Sequence, residues 1–116
     1  FWCAEKIQNE MLRFELENHR KPWVALMGLA FKPNIDDLRE SPAKSITSKV
    51  LQSGNNYQIM IVEPNVPEHN LFKLTNYKEA YEKADIVVFL VNHNEFAELN
   101  YRNDVKVLDF CGTFKK

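Results

Sequence analysis

Apolar positions recur along the chain with two different periods. Over residues 1–20, Ile7, Met11, Leu12 and Phe14 return at three- and four-residue steps among Glu, Lys, Gln and Asn, which predicts an amphipathic helix. His19, Arg20 and Lys21 crowd its end, where positive charge suits the helix dipole, and Pro22 stops it. Beyond Pro22 the pattern changes. Residues 23–31 form one unbroken apolar run, as expected of a parallel strand buried on both faces. A polar loop over 32–40 leads to Ser41 and Pro42, an N-cap and first-turn pair that opens a helix reaching Gln52, with Gly54 as its stop. A second strand is predicted over 57–62, ending at Glu63-Pro64-Asn65, then a loop with Pro67 and a short helix over 77–83. A third strand covers 85–91, a helical turn 95–99, and a fourth strand 105–110 closes at Gly112.

Strands alternating with helices specify βαβ units, and so an open, mostly parallel α/β sheet flanked by helices. Ligands of such sheets lie outside the carboxyl ends of the strands. The search for function therefore narrows to four loops, at 31–41, 63–71, 91–96 and 110–114.

Composition changes this picture little. Of the 116 residues, 45% are hydrophobic and 27% charged, which fits one soluble globular domain and excludes disorder of the whole chain. Fifteen basic residues against 16 acidic leave a net charge of −1 with no basic block, against a dedicated binder of nucleic acid or a membrane surface. The longest apolar stretch of the third strand, 86–91, is far shorter than the ~18 residues of a membrane span. The start has neither an initiator Met nor a signal-peptide pattern and opens inside a helix, so the chain reads as a piece of a longer protein. Cys3 and Cys111 have neither metal-ligand spacing nor disulfide density, which suggests a reducing, cytoplasmic setting, with Cys111 a small core residue. His19 and His69 lack ligand-like partners, so no metal site is expected.

The first loop carries the most chemistry. Lys32 and Arg39 bracket Asp36 and Asp37, and a helix N-terminus follows at Ser41. Two cations and exposed helix amides at one strand end can hold a phosphate or pyrophosphate. Equally, Lys32, Asp36, Asp37, Arg39 and Glu40 can pair with one another on a solvated turn. A dinucleotide fingerprint is absent, because Gly28 stands alone with Ala30 and Pro33 after it; its place reads as one of close packing. His93 and Glu95 flank a strand end and could form an acid–base pair, but with no third group to orient the histidine they read better as polar residues lining a loop. The aromatics read as core, except Phe31, which at a strand mouth beside Lys32 can pack on a base or sugar.

The run Gly28-Leu29-Ala30-Phe31-Lys32-Pro33, continued by Asp36-Asp37-Leu38-Arg39-Glu40-Ser41-Pro42, resembles the signature that opens the C-terminal domain of the UDP-glucose/GDP-mannose dehydrogenase family. The likeness extends through Glu63-Pro64-Asn65, Ala84-Asp85, Leu90-Val91-Asn92-His93 and Val107-Leu108-Asp109, and leans toward the bacterial branch that oxidises UDP-N-acetylmannosamine or UDP-N-acetylglucosamine. The resemblance implies an N-terminal NAD-binding domain elsewhere in the same chain, a central helix serving a homodimer, and a Rossmann-like UDP-binding domain. Residues 1–21 would then be the end of the connector and dimerisation helix, and 22–116 the UDP-sugar-binding domain. Phe31 and Lys32 are implied to face the UDP-sugar substrate, and Arg39 to reach toward NAD. The implied reaction of the parent is NAD-dependent oxidation of a sugar C6 alcohol to a carboxylate in two steps through a cysteine adduct, in polysaccharide or capsule biosynthesis.

Two departures matter. Neither the family's cysteine motif nor its NAD fingerprint is present, so no catalytic residue is assigned and this chain alone is expected to be inactive. Relatives also place a basic residue two positions after the last strand's Asp, where Cys111 stands; Lys115 or Lys116 could replace it. Two other classes remain to be weighed. One is a phosphoacceptor receiver module, suggested by Asp36-Asp37 but opposed by Asn92-His93 at the third strand end and by Lys106 ahead of the fourth strand. The other is a nucleotide-binding or dimerisation module with no catalytic partner.

Overall fold

The computed structural model describes residues 2–29, 42–52, 57–64, 74–91, 93–99 and 104–110. The described residues form four strands: β1 (Trp23–Met27), β2 (Gln58–Val62), β3 (Ile86–Phe89) and β4 (Lys106–Asp109). They pair in the order β2-β1-β3-β4, every pair parallel, as the alternation of strands and helices requires. Three α-helices, α1 (Trp2–Asn18), α2 (Pro42–Gln52) and α3 (Tyr77–Lys83), and a 3-10 turn over Asn94–Glu98 complete the described elements.

The two-residue period of β1 divides the core. Val24 and Leu26 face one way, with Ile86, Val88 and Leu108, and are covered by Ala4, Ile7 and Met11 of α1 and Val50 of α2. Ala25 and Met27 face the other way, with Val87 and Phe89, under Ala80 and Tyr81 of α3, Ala84 just after it and Phe96 of the 3-10 turn. Both faces of β1 and β3 are buried, which is why their sequence is a continuous apolar run rather than an alternating one.

The structure corrects three expectations. β1 stops at Met27, short of the end of the apolar run, because Gly28 takes φ 107° and turns the chain. Leu12 lies away from the core, 55% exposed, while Ala4, Ile7 and Met11 supply the buried stripe of α1. The basic cluster after α1 does not cap the helix dipole: α1 ends at Asn18 with no basic residue in its last turn. Instead His19, at φ 56°, turns the chain out of the helix, and Arg20 reaches the sheet. Its Nη1 and Nη2 donate to Asp85 Oδ2 and Oδ1, both at 2.9 Å, and its guanidinium lies 4.9 Å from the Phe14 ring centre. Asp85 Oδ2 also accepts from the Trp23 amide at 2.9 Å, so one carboxylate ties the exit of α1 to the start of β1. The hydrogen bonds that Arg20 donates to Asp85 hold its pKa above the ordinary value, against a smaller opposing effect of burial. A second tie runs from the Tyr57 hydroxyl to Glu15 Oε1 at 2.8 Å; burial first, and this bond second, raise the Tyr57 pKa.

Candidate functional site at the carboxyl edge of the sheet

The ends of β1, β2 and β3 meet at one edge. Gly28 is the first residue beyond β1, and its amide donates to the Val62 carbonyl at 2.8 Å. The Met27 carbonyl accepts from the amides of both Leu90 and Val91, at 2.9 and 3.3 Å, which ends the β3 ladder at Phe89. A side chain at position 28 has no room: a Cβ there would lie 2.7 Å from Val91 Cβ and 3.0 Å from the Val91 amide nitrogen. Gly28 thus lets two strand ends pack closely, as its isolation in the sequence suggests, and it offers no cradle for a pyrophosphate.

Immediately past these strand ends lies a buried polar cluster. Glu63, the first residue after β2, and His93, at the N-terminal boundary of the 3-10 turn, both have fully buried side chains. Glu63 Oε1 lies 2.8 Å from His93 Nε2 and 2.9 Å from the Leu29 amide nitrogen. With His93 in its Nε2–H tautomer, one carboxylate oxygen accepts from both groups. An acid and an imidazole are withdrawn together from water only where such bonds compensate the lost hydration. The imidazole also meets the Phe96 ring edge-on at 5.5 Å between centres, and the Phe96 amide donates to the His93 carbonyl at 3.1 Å. Leu29, Glu63 and His93 follow three different strands, so this oxygen joins the mouths of β1, β2 and β3.

This arrangement corrects the reading of His93 as a loop-lining polar residue with no group to orient it: the side chain is fully buried and held by Glu63. Glu95 sits in the first turn of the 3-10 helix, whereas Glu63, 30 residues away in sequence, is the group that orients His93. No local signal marked Glu63 for burial, since a carboxylate is rarely withdrawn from water unless paired, and its partner lies on another strand end. The other candidates, Phe31, Lys32, Asp36, Asp37, Arg39, Ser41, Cys111, Lys115 and Lys116, lie outside the described residues, as do Asn92 and His69. Among the described residues no group of three or more His, Cys, Asp or Glu side chains could hold a metal ion, and no helix is long and apolar enough to cross a membrane. Lys106 stands at the start of β4, at the opposite edge from His93, so this lysine is not placed to serve the carboxyl edge as a receiver module's would.

Comparison with known proteins agrees with the resemblance. Residues 25–115 match the model of the UDP-glucose/GDP-mannose dehydrogenase family, UDP binding domain. The chain is 47% identical over 97 residues to a UDP-N-acetyl-D-mannosamine dehydrogenase of Campylobacter jejuni, covering 78% of this chain and 23% of that protein. It is 40% identical over 103 residues to an NDP-N-acetyl-D-galactosaminuronic acid dehydrogenase of Ralstonia nicotianae, covering 85% of this chain and 23% of the relative. The chain therefore spans about a quarter of the length of these curated relatives. In fold it is similar to a crystal structure of GDP-mannose dehydrogenase from Pseudomonas aeruginosa, with a TM-score of 0.68 at 23% identity, over 89% of this chain and 28% of that one.

Proposed function

The chain belongs to the UDP-glucose/GDP-mannose dehydrogenase family, whose UDP binding domain it carries, and from that premise we propose that the carboxyl edge of β1, β2 and β3 is where it holds the UDP portion of a nucleotide sugar. The observation that carries this reading is the cluster of Leu29, Glu63 and His93. It organises the edge at which parallel α/β sheets take ligands, and its three residues belong to the segments that carry the family likeness. In this reading Phe31 stacks on or beside the UDP-sugar and Lys32 supplies positive charge to its phosphate or hydroxyl groups. Arg39 reaches across a cleft toward a nicotinamide cofactor. The cofactor, NAD, is bound mainly by an N-terminal domain elsewhere in the protein, a reading supported by the family resemblance and by the lack of a glycine-rich dinucleotide fingerprint in this sequence.

Residues 1–21 end a connector helix that also serves a homodimer, and residues 22–116 form the UDP-sugar domain. The whole protein oxidises the C6 alcohol of a UDP-sugar of the N-acetylmannosamine class to the carboxylate with NAD as acceptor, in the cytoplasm, for surface or capsular polysaccharide. Relatives of 40–47% identity carrying dehydrogenase names support the class of reaction. The part of the work done here is binding and closure: domain closure over the sugar nucleotide excludes water from the reacting centre.

Lys32→Ala tests the site. Loss of a charge-assisted contact is worth roughly 1.5–3 kcal/mol, so UDP affinity should fall by about tenfold or more. Unchanged affinity in the folded variant contradicts the reading.

A further inference from the structure

We propose that Glu63 and His93 are a positioning pair for nucleotide binding: they fix where the chain leaves β1, at Leu29, two residues before Phe31, without touching the nucleotide themselves. The inference rests on the UDP-site reading and adds two residues to it. Three observations carry it. First, Glu63 Oε1 takes the amide of Leu29, the residue two places before Phe31, at 2.9 Å. A backbone amide held this way fixes the direction of the main chain rather than one side chain. Second, that oxygen also meets His93 Nε2 at 2.8 Å, and His93 follows β3, the strand on the other side of β1 from β2. The loop origin is thus referenced to both neighbouring strands at once. Third, both side chains are fully buried and His93 is wedged edge-on against the buried Phe96, so the pair has little freedom to rearrange when ligand arrives.

Burial of an acid and an imidazole is an expensive way to fill a core, since apolar residues of similar volume serve stability as well or better. What the pair supplies that an apolar pair does not is an acceptor for the Leu29 amide at a fixed point. Gly28 makes such an anchor necessary, because the chain leaves β1 through φ 107°, a conformation glycine does not hold by itself.

The test is UDP affinity of this chain and four variants, with the Leu29 amide resonance followed in each. Glu63→Gln keeps an acceptor oxygen for both donors, and His93→Gln keeps an N–H that can reach Glu63. Both are expected to bind UDP within about threefold of the parent. Glu63→Ala and His93→Leu remove the junction, and each should weaken UDP binding by about tenfold while the protein remains folded by circular dichroism. The Leu29 amide should move upfield in Glu63→Ala and stay near its parent position in Glu63→Gln. A merely structural pair would change the denaturation midpoint and leave the UDP affinity of the folded molecules alone. Should Glu63→Ala fail to fold, His93→Leu against His93→Gln decides the matter. Parental affinity in the junction-breaking variants overturns the positioning role and leaves the UDP site standing. Failure of the parent itself to bind UDP overturns both.

Discussion

Gly28 and Thr47 show how single positions are set by what surrounds them. Alanine at 28 must accept a left-handed φ and push its Cβ against Val91, whose Cβ and backbone nitrogen cannot yield as a flexible side-chain end would. The conformational cost is about 1 kcal/mol and overpacking adds about 1–3, so Gly28→Ala should lower stability by about 2–4 kcal/mol in urea denaturation. A loss within experimental error would mean that the two strand ends are looser than described. Thr47, inside α2, is fully buried, and its Oγ1 has no hydrogen-bond partner among the described residues. Thr47→Val removes a desolvated hydroxyl without changing shape, and should stabilise by about 1 kcal/mol in the same assay. At this scale the sequence was informative where one residue's own chemistry decides, as with the solitary Gly28. It was silent on Glu63 with His93, because a contact across 30 residues exists only once β2 and β3 stand on either side of β1.

Two polar ties fasten α1 to the sheet: Arg20 with Asp85, and Tyr57 with Glu15. Asp85→Asn keeps the size of the side chain but gives up the ion pair and one bidentate oxygen. Hydrogen exchange should then quicken at the Trp23 amide and in the last turn of α1, while amides of β3 away from the tie keep their protection. Uniform exchange throughout would argue that the clamp is incidental. Tyr57 gives a pH test whose sign is fixed. Its folded pKa lies above the unfolded value near 10, so the fold favours the neutral phenol. The associated stability is complete below that unfolded value and is lost as pH rises through the folded pKa. Tyr57→Phe should therefore flatten the fall of stability above about pH 10, and one tyrosine of the parent should ionise late in an absorbance titration. Element boundaries were readable where local chemistry marks them. α3 occupies its expected range, Tyr77–Lys83, with the Asn76 side chain accepting from the Lys78 and Glu79 amides. They were misread where tertiary structure overrides the local signal. The apolar run beginning at Trp23 outlasts β1 because Gly28 turns the chain at φ 107°, and Arg20 left the helix end because Asp85 offers a bidentate partner.

In the whole molecule, an all-parallel sheet buried on both faces leaves its carboxyl edge as the place where three chain segments emerge side by side. The fold class and this edge were readable from the alternation of apolar strands and amphipathic helices, since that alternation is what buries a parallel sheet. Phe31, Lys32 and Arg39 were named from their loop chemistry and the family signature and lie outside the described residues, whereas the buried acid–histidine junction at this edge is one that no local pattern announces. The account stands most directly on a titration of the isotope-labelled chain with UDP, following every backbone amide. Shifts concentrated at 28–41, around Glu63 and at 90–96, with the opposite edge at Trp23, Asp85 and Lys106 unmoved, are the predicted result. No movement at millimolar UDP, or movement centred on that opposite edge, would contradict it.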